Sequence, residues 1–151
     1  MKKTTLTLAA VAVLSACGGG GSSPEPVTDL NPAMGGTWTG NYTVTATGQD
    51  PQTAPGTLEV AVAGRTATIT KVCTDGSGTL VATGSGNNAA WAGTLACPPV
   101  AVSLCPTVVV TLTSANGSLS ADGKTMTVVA HGRASACGLT PDVTLGFMGG
   151  K

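Results

Sequence analysis

His131 is the only histidine in the chain, and Ser135 and Asp142 follow it closely. A serine, a histidine and a carboxylate are the parts of an activated nucleophile: the imidazole takes the serine proton and the acid orients the imidazole. No Gly-x-Ser-x-Gly turn presents this serine, and a single histidine within a strand-like run reads as a surface residue instead. The seven acidic residues are scattered over spacer, turns and strand edges, with no pair spaced for glycoside hydrolysis. Asp75-Gly76-Ser77-Gly78 and Ala121-Asp122-Gly123-Lys124 have the look of ion-binding loops. They lack the spaced carboxylates that calcium needs and the following helix that phosphate needs, so they read as hairpin turns. The expectation is a protein with no catalytic residues, no metal and no cofactor. Asn41-Tyr42-Thr43 and Asn116-Gly117-Ser118 match the glycosylation sequon.

The cysteines divide into one and four. Cys73, Cys97, Cys105 and Cys137 lie too far apart for the close pairs that zinc prefers. An even number in an exported chain reads as two disulfides with three possible connectivities. Cys73–Cys97 with Cys105–Cys137 is favoured, and Cys97–Cys105 with Cys73–Cys137 is the rival. Each bridge would add about 2–4 kcal/mol, and oxidised thiols leave little scope for a cysteine nucleophile. Cys17 stands apart, at the end of an apolar run from Leu6 to Leu14 that follows Lys2 and Lys3. That run falls short of the roughly 20 apolar residues that span a hydrocarbon core and fits a cleaved signal.

Leu14-Ser15-Ala16-Cys17 resembles the lipobox of bacterial lipoproteins. The resemblance implies that residues 1–16 are removed as a signal peptide and that Cys17 becomes the lipid attachment site. Its thiol would carry a diacylglyceryl group and its freed amine a further acyl chain such as palmitate. At about 0.8 kcal/mol per buried methylene, two or more chains anchor stably where one does not. Gly18 is not the Asp that retains many such proteins in the inner membrane. The implied address is therefore the cell envelope: the outer membrane of a Gram-negative cell, or the outer face of a Gram-positive one. The alternative is an ordinary secretory signal with an incidental cysteine.

Residues 17–33 read as the lipidated Cys and its tether. Gly18 to Ser23 is a flexible linker, and Pro24 to Pro32 extends it with few core-forming residues, an ordered arm being possible only near Val27 to Leu30. Residues 34–151 read as a single β domain. Without Lys2 and Lys3, five basic residues face seven acidic ones. With charged residues only 9% of the chain, there is no basic stripe for nucleic acid.

Thr37 to Thr47 alternates: Trp38, Gly40, Tyr42, Val44 and Ala46 face one way, and threonines with Asn41 face the other. Period two with one polar face marks a half-buried strand. Similar runs follow at residues 56–63, 66–73, 79–83, 89–97, 107–113, 125–132 and 143–148. Turn signals separate them at Gly64-Arg65, 75–78, 84–88, Pro98-Pro99 and Asp122-Gly123. The fold expected is all-β: a small up-and-down antiparallel barrel of about eight strands, closed to remove its edges. A two-sheet β-sandwich is the alternative. A meander of this order gathers all four of the later cysteines at one end.

Gly36-Thr37-Trp38, opening the first strand, resembles the G-x-W of lipocalins and the related avidin-like barrels, the calycins. The resemblance implies that Trp38 plugs a closed end, with a basic residue, here Arg133, packing across it. Tyr42 and Trp91 join Trp38 as candidate ligand-lining or core-plugging residues. A second lipocalin motif, a C-terminal helix and the aromatic set of a biotin site are missing.

Three functional expectations follow. The first is a non-enzymatic, lipid-anchored envelope protein that acts through surface contacts with an unknown envelope protein. The second is a carrier of a small apolar ligand, which requires an open cavity lined by Trp38, Tyr42, Val60 and Val110. The third is an inhibitor of a hydrolase such as lysozyme, which a concave polar patch at the loop end would favour.

Overall fold

The computed structural model describes residues 28–72, 77–97, 100–102 and 105–151. A single 3-10 turn, Pro32–Met34, precedes nine strands. These are β1 Gly36–Ala46, β2 Gln52–Ala63, β3 Thr66–Lys71, β4 Ser77–Ser85, β5 Asn88–Ala96, β6 Val100–Val102, β7 Cys105–Leu119, β8 Thr125–Ala136 and β9 Asp142–Gly150. Neighbours run in the order β5-β4-β3-β2-β1-β9-β8-β7-β6, and β5 also pairs with β7. All the pairings are antiparallel. The β5–β7 pairing closes an eight-stranded up-and-down barrel, and β6 is a short flap on the outer part of β7. The first and last strands join through eight paired positions, from Thr39↔Gly150 to Ala46↔Val143. This continuous ring excludes the sandwich.

Alternation along each strand fills the barrel. Trp38, Tyr42, Leu58, Val60, Ile69, Leu80, Trp91, Leu95, Leu112, Val128, Leu145 and Phe147 are buried in one cluster. No polar or charged side chain is buried among the described residues. The bulkiest rings fit because glycines make room beside them. A Cβ on Gly56 would lie 2.5 Å from the Tyr42 ring, one on Gly117 2.7 Å from Trp91, and one on Gly149 2.4 Å from Phe147. Tyr42 and Phe147 meet at 4.8 Å between ring centroids, tilted by 45°, a geometry that favours aromatic pairs.

One end of the barrel is sealed by the segment from Leu30 to Met34, which the sequence places at the end of the spacer and the first residue of the domain. Asn31 caps the 3-10 turn by accepting from Ala33 N at 2.9 Å, with Pro32 pre-set for the first turn position. Leu30 and Met34 are buried. Leu30 N donates to Gly64 O, and Gly86 N to Asp29 O, so this segment stitches the β2–β3 turn to the β4–β5 turn. The folded body therefore begins by Leu30, because two apolar side chains cover an otherwise open mouth.

Trp38 lies beneath this plug and donates from Nε1 to Met34 O at 2.9 Å. The basic residue across its ring is Lys151, whose Nζ lies 4.2 Å from the ring centroid. Lys151 also donates to Ala33 O at 2.8 Å and to Gly35 O. Arg133, expected in that role, is on the outer wall instead, paired with Asp142 at 3.1 Å. The cause is register: Arg133 has outward-facing parity on β8, between inward Ala134 and partly covered Gly132.

At the opposite end lie Cys97 just past β5, Cys105 at the start of β7 and Cys137 just past β8. These three meet the expected clustering; Cys73 lies outside the described residues. Cys97 and Cys137 are each bonded in a disulfide.

Candidate functional site

The interior is where a carrier would hold its ligand, and it is occupied. Trp38 and Val60 are 0% and 4% exposed, Tyr42 is 9% exposed, and Val110 packs against the same cluster. The Tyr42 hydroxyl donates to Thr57 O, and burial pushes its pKa well above the ordinary tyrosine value. Trp91 belongs to the same packed cluster. The three aromatic candidates are thus core residues, sharing the interior with Leu58, Ile69 and Phe147.

Three concavities among the described residues lie on the outer wall. The one closest to the cysteine-bearing end spans β7, β8 and β9 and has a volume of about 570 Å³. It is lined by Thr113, His131, Arg133, Asp142 and Thr144, with Gly132 and Val143 at its floor. The β8–β9 register sets His131 opposite Thr144 and Arg133 opposite Asp142, so four outward side chains form a square. Thr144 Oγ1 is 3.4 Å from His131 Nδ1, and Thr113 Oγ1 donates to His131 O at 3.4 Å. The Arg133 and Asp142 side chains are 74% and 77% exposed. Such a solvated pair contributes about 0–1 kcal/mol to stability, and both groups stay available to a partner.

This geometry separates the parts of the tempting triad. Asp142 bonds Arg133 Nε, while the ring of His131 meets Thr144. Ser135 is four residues further along the same strand, about 13 Å away at the usual strand rise. Among the described residues, no three His, Cys, Asp or Glu side chains are grouped to hold a metal.

A second hollow lies over Gly146, between Asn41 and Thr43 of β1 and Thr127 and Val129 of β8. Met148 and Val129, 62% and 38% exposed, give it an apolar rim. It shares β8 and β9 with the His131 concavity, so one continuous stretch of wall runs from apolar near the plug to polar near the cysteines. Of these residues only His131, Arg133 and Asp142 stand out in the sequence. Thr113, Thr144 and Gly146 are ordinary strand residues until the registers bring them together. The plug had a signal, the Asn31-Pro32 turn start before the G-x-W; Lys151 had none.

Fold and wall together define a small, closed β-barrel with a side-chain-filled interior and a polar outer surface. No family model matches the chain, and neither a curated protein nor a solved structure does. Among the described residues, no helix is long and apolar enough to cross a membrane. Cys17 and the lipobox lie outside the described residues.

Proposed function

We propose that this chain is a lipid-anchored, non-enzymatic protein of the cell envelope whose barrel is a rigid display for its outer wall. The observation that carries this reading is the filled interior. With Trp38, Tyr42 and Val60 packed in the core, recognition falls to the surface, and the lipobox-like Leu14-Ser15-Ala16-Cys17 supplies the anchor. A lipid-held barrel needs no long apolar helix, since acyl chains supply the membrane affinity. The outer membrane follows from Gly18 if the source is Gram-negative. A closed barrel is compatible with a lipocalin-like carrier, but a carrier needs interior space that packed side chains occupy.

The second reading, a hydrolase inhibitor, draws on the concavity at His131, Arg133, Asp142 and Thr144. An exposed guanidinium beside a carboxylate is suited to a partner with paired charges in its own cleft.

Mass spectrometry of the protein isolated from native membranes tests the anchor. The expected species begins at Cys17 and carries acyl chains. A chain that retains residues 1–16, or a Cys17→Ser form that is processed and membrane-bound as before, would overturn it. Crosslinking in the same membranes, with Arg133→Glu as control, tests the surface. An envelope protein captured by the parent and lost from the variant supports this reading, and unchanged capture contradicts a role for the patch.

A further inference from the structure

Trp38 and Trp91 are both buried, yet their indole N–H groups differ. Trp38 Nε1 donates to Met34 O, whereas Trp91 Nε1 is enclosed and has no hydrogen-bond partner among the protein atoms. Folded proteins satisfy nearly all buried donors, with protein atoms or with ordered water, because a donor stripped of hydration and given nothing in return is costly. No acceptor among the described residues lies within hydrogen-bond reach of this nitrogen.

The wall beside Trp91 is irregular on both strands. Ala92 is opposite Ser114 and Leu95 is opposite Leu112, so Gly93 and Thr94 of β5 face only Thr113 of β7. The β7–β8 register slips at the same point, between Leu112 and Ser114. A bulge of this kind bends the strand and interrupts its hydrogen-bond ladder. Gly93 is exposed at φ +142°, and no side chain there closes the wall. The ring orientation fits. Cζ3 of Trp91 lies over Gly117, which is opposite Ala89, on the side of Trp91 away from the bulge. Nε1 is on the ring edge opposite Cζ3, and so on the side of the ring away from Gly117.

We propose that the β5–β7 bulge holds a buried water that accepts from Trp91 Nε1 and donates to backbone carbonyls at the interrupted ladder. The occupant is water because the site combines a donor with backbone acceptors, and a water is held by roughly 2–4 polar partners. A larger ligand would need interior room that Leu80, Leu95 and Leu112 already fill. In this arrangement the water exchanges with solvent through the wall at the exposed Gly93.

The chain has only two tryptophans, so the intact mature protein labelled with ¹⁵N at the indole gives two assignable N–H signals. Water-selective cross-relaxation is expected at the Trp91 indole proton and not at that of Trp38, with Trp91→Phe fixing the assignment. Replacing Trp91 by its benzothienyl isostere keeps the shape and removes the donor. That form is expected to retain the Trp38 signal and to melt at a lower temperature than the parent, because the water has lost a partner. Absence of cross-relaxation at Trp91 would overturn the proposal. So would an isostere that melts higher, since removing an orphaned donor relieves a cost, or cross-relaxation to carbon-bound protons of a retained ligand.

Discussion

Leu30→Ala is the sharpest probe of how this barrel is closed. Leu30 is 1% exposed and lies over Gly84, its Cδ2 being 2.8 Å from where a Cβ on that glycine would sit. The substitution keeps the backbone bonds of the stitch: Leu30 N to Gly64 O at 3.0 Å, Asn31 N to Gly86 O at 2.7 Å and Gly86 N to Asp29 O at 3.0 Å. It therefore isolates the side chain. Three carbon groups at about 0.8 kcal/mol each give a transfer cost near 2.4 kcal/mol. Enclosed Leu→Ala sites cost about 2–5 kcal/mol, and a site at the barrel mouth can collapse or admit water, which holds the total to about 2–3 kcal/mol. For a domain of this size, at about 4 °C per kcal/mol, the expected loss in Tm is roughly 8–12 °C. Thermal unfolding followed by near-ultraviolet circular dichroism reads both the stability and the burial of Trp38 beneath the plug. Val81→Ala, at a side chain 47% exposed, is the control and should move Tm by less than about 2 °C. If the two variants shift Tm equally, the N-terminal segment does not seal the barrel and the account of this end is wrong.

Other outcomes follow from the same contacts. Removing the cation over Trp38 by Lys151→Gln should cost about 1 kcal/mol, measured by urea unfolding; no change would mean that the C-terminal side chain does not brace the plug. Tyr42 is the only tyrosine, so its ionisation can be followed by absorbance alone. Its folded-state pKa is raised by burial, so its contribution is complete below the unfolded value near 10 and is lost as pH climbs above it. Stability should fall by at most about 1.4 kcal/mol per pH unit above pH ~10, and Tyr42→Phe should flatten that slope; a free tyrosine titration near 10 in the folded protein would contradict it. Non-reducing peptide mapping should find Cys73–Cys97 and Cys105–Cys137. Ala136, next to Cys137, is opposite Val108 on the strand that Cys105 opens, whereas β5 reaches β8 only across β7. A Cys97–Cys105 peptide would refute this assignment.

Most strands were legible because burial on one face writes period two into the sequence. The runs at residues 37–47 and 66–73 match β1 and β3 to within two residues at each end. The reading stopped short where that period breaks. On β7 the inward residues run Leu112, Ala115, Leu119, because the bulge between Leu112 and Ser114 shifts the alternation by one; a two-residue pattern cannot continue through it. The start of β2, Gln52–Pro55, is exposed throughout and is a strand because β1 pairs with it, not because its composition asks for one. For the candidate site, His131, Arg133 and Asp142 were visible as residue types, but their facing positions were not.

What the sequence determined by itself is therefore local: strand identity, hairpin turns, the sorting of apolar and polar faces, and the lipobox-like start that sets an expected address. Each is written in neighbours a few residues apart. The tertiary structure alone decided closure, the plug and the wall. Pairing of β1 with β9 joins residues about a hundred positions apart, and no local pattern encodes it. Lys151, not Arg133, covers Trp38 because that cover is a matter of which strand end arrives at the closed mouth. The Trp91 N–H likewise lacks a protein partner beside bulges that only the pairing of β5, β7 and β8 creates.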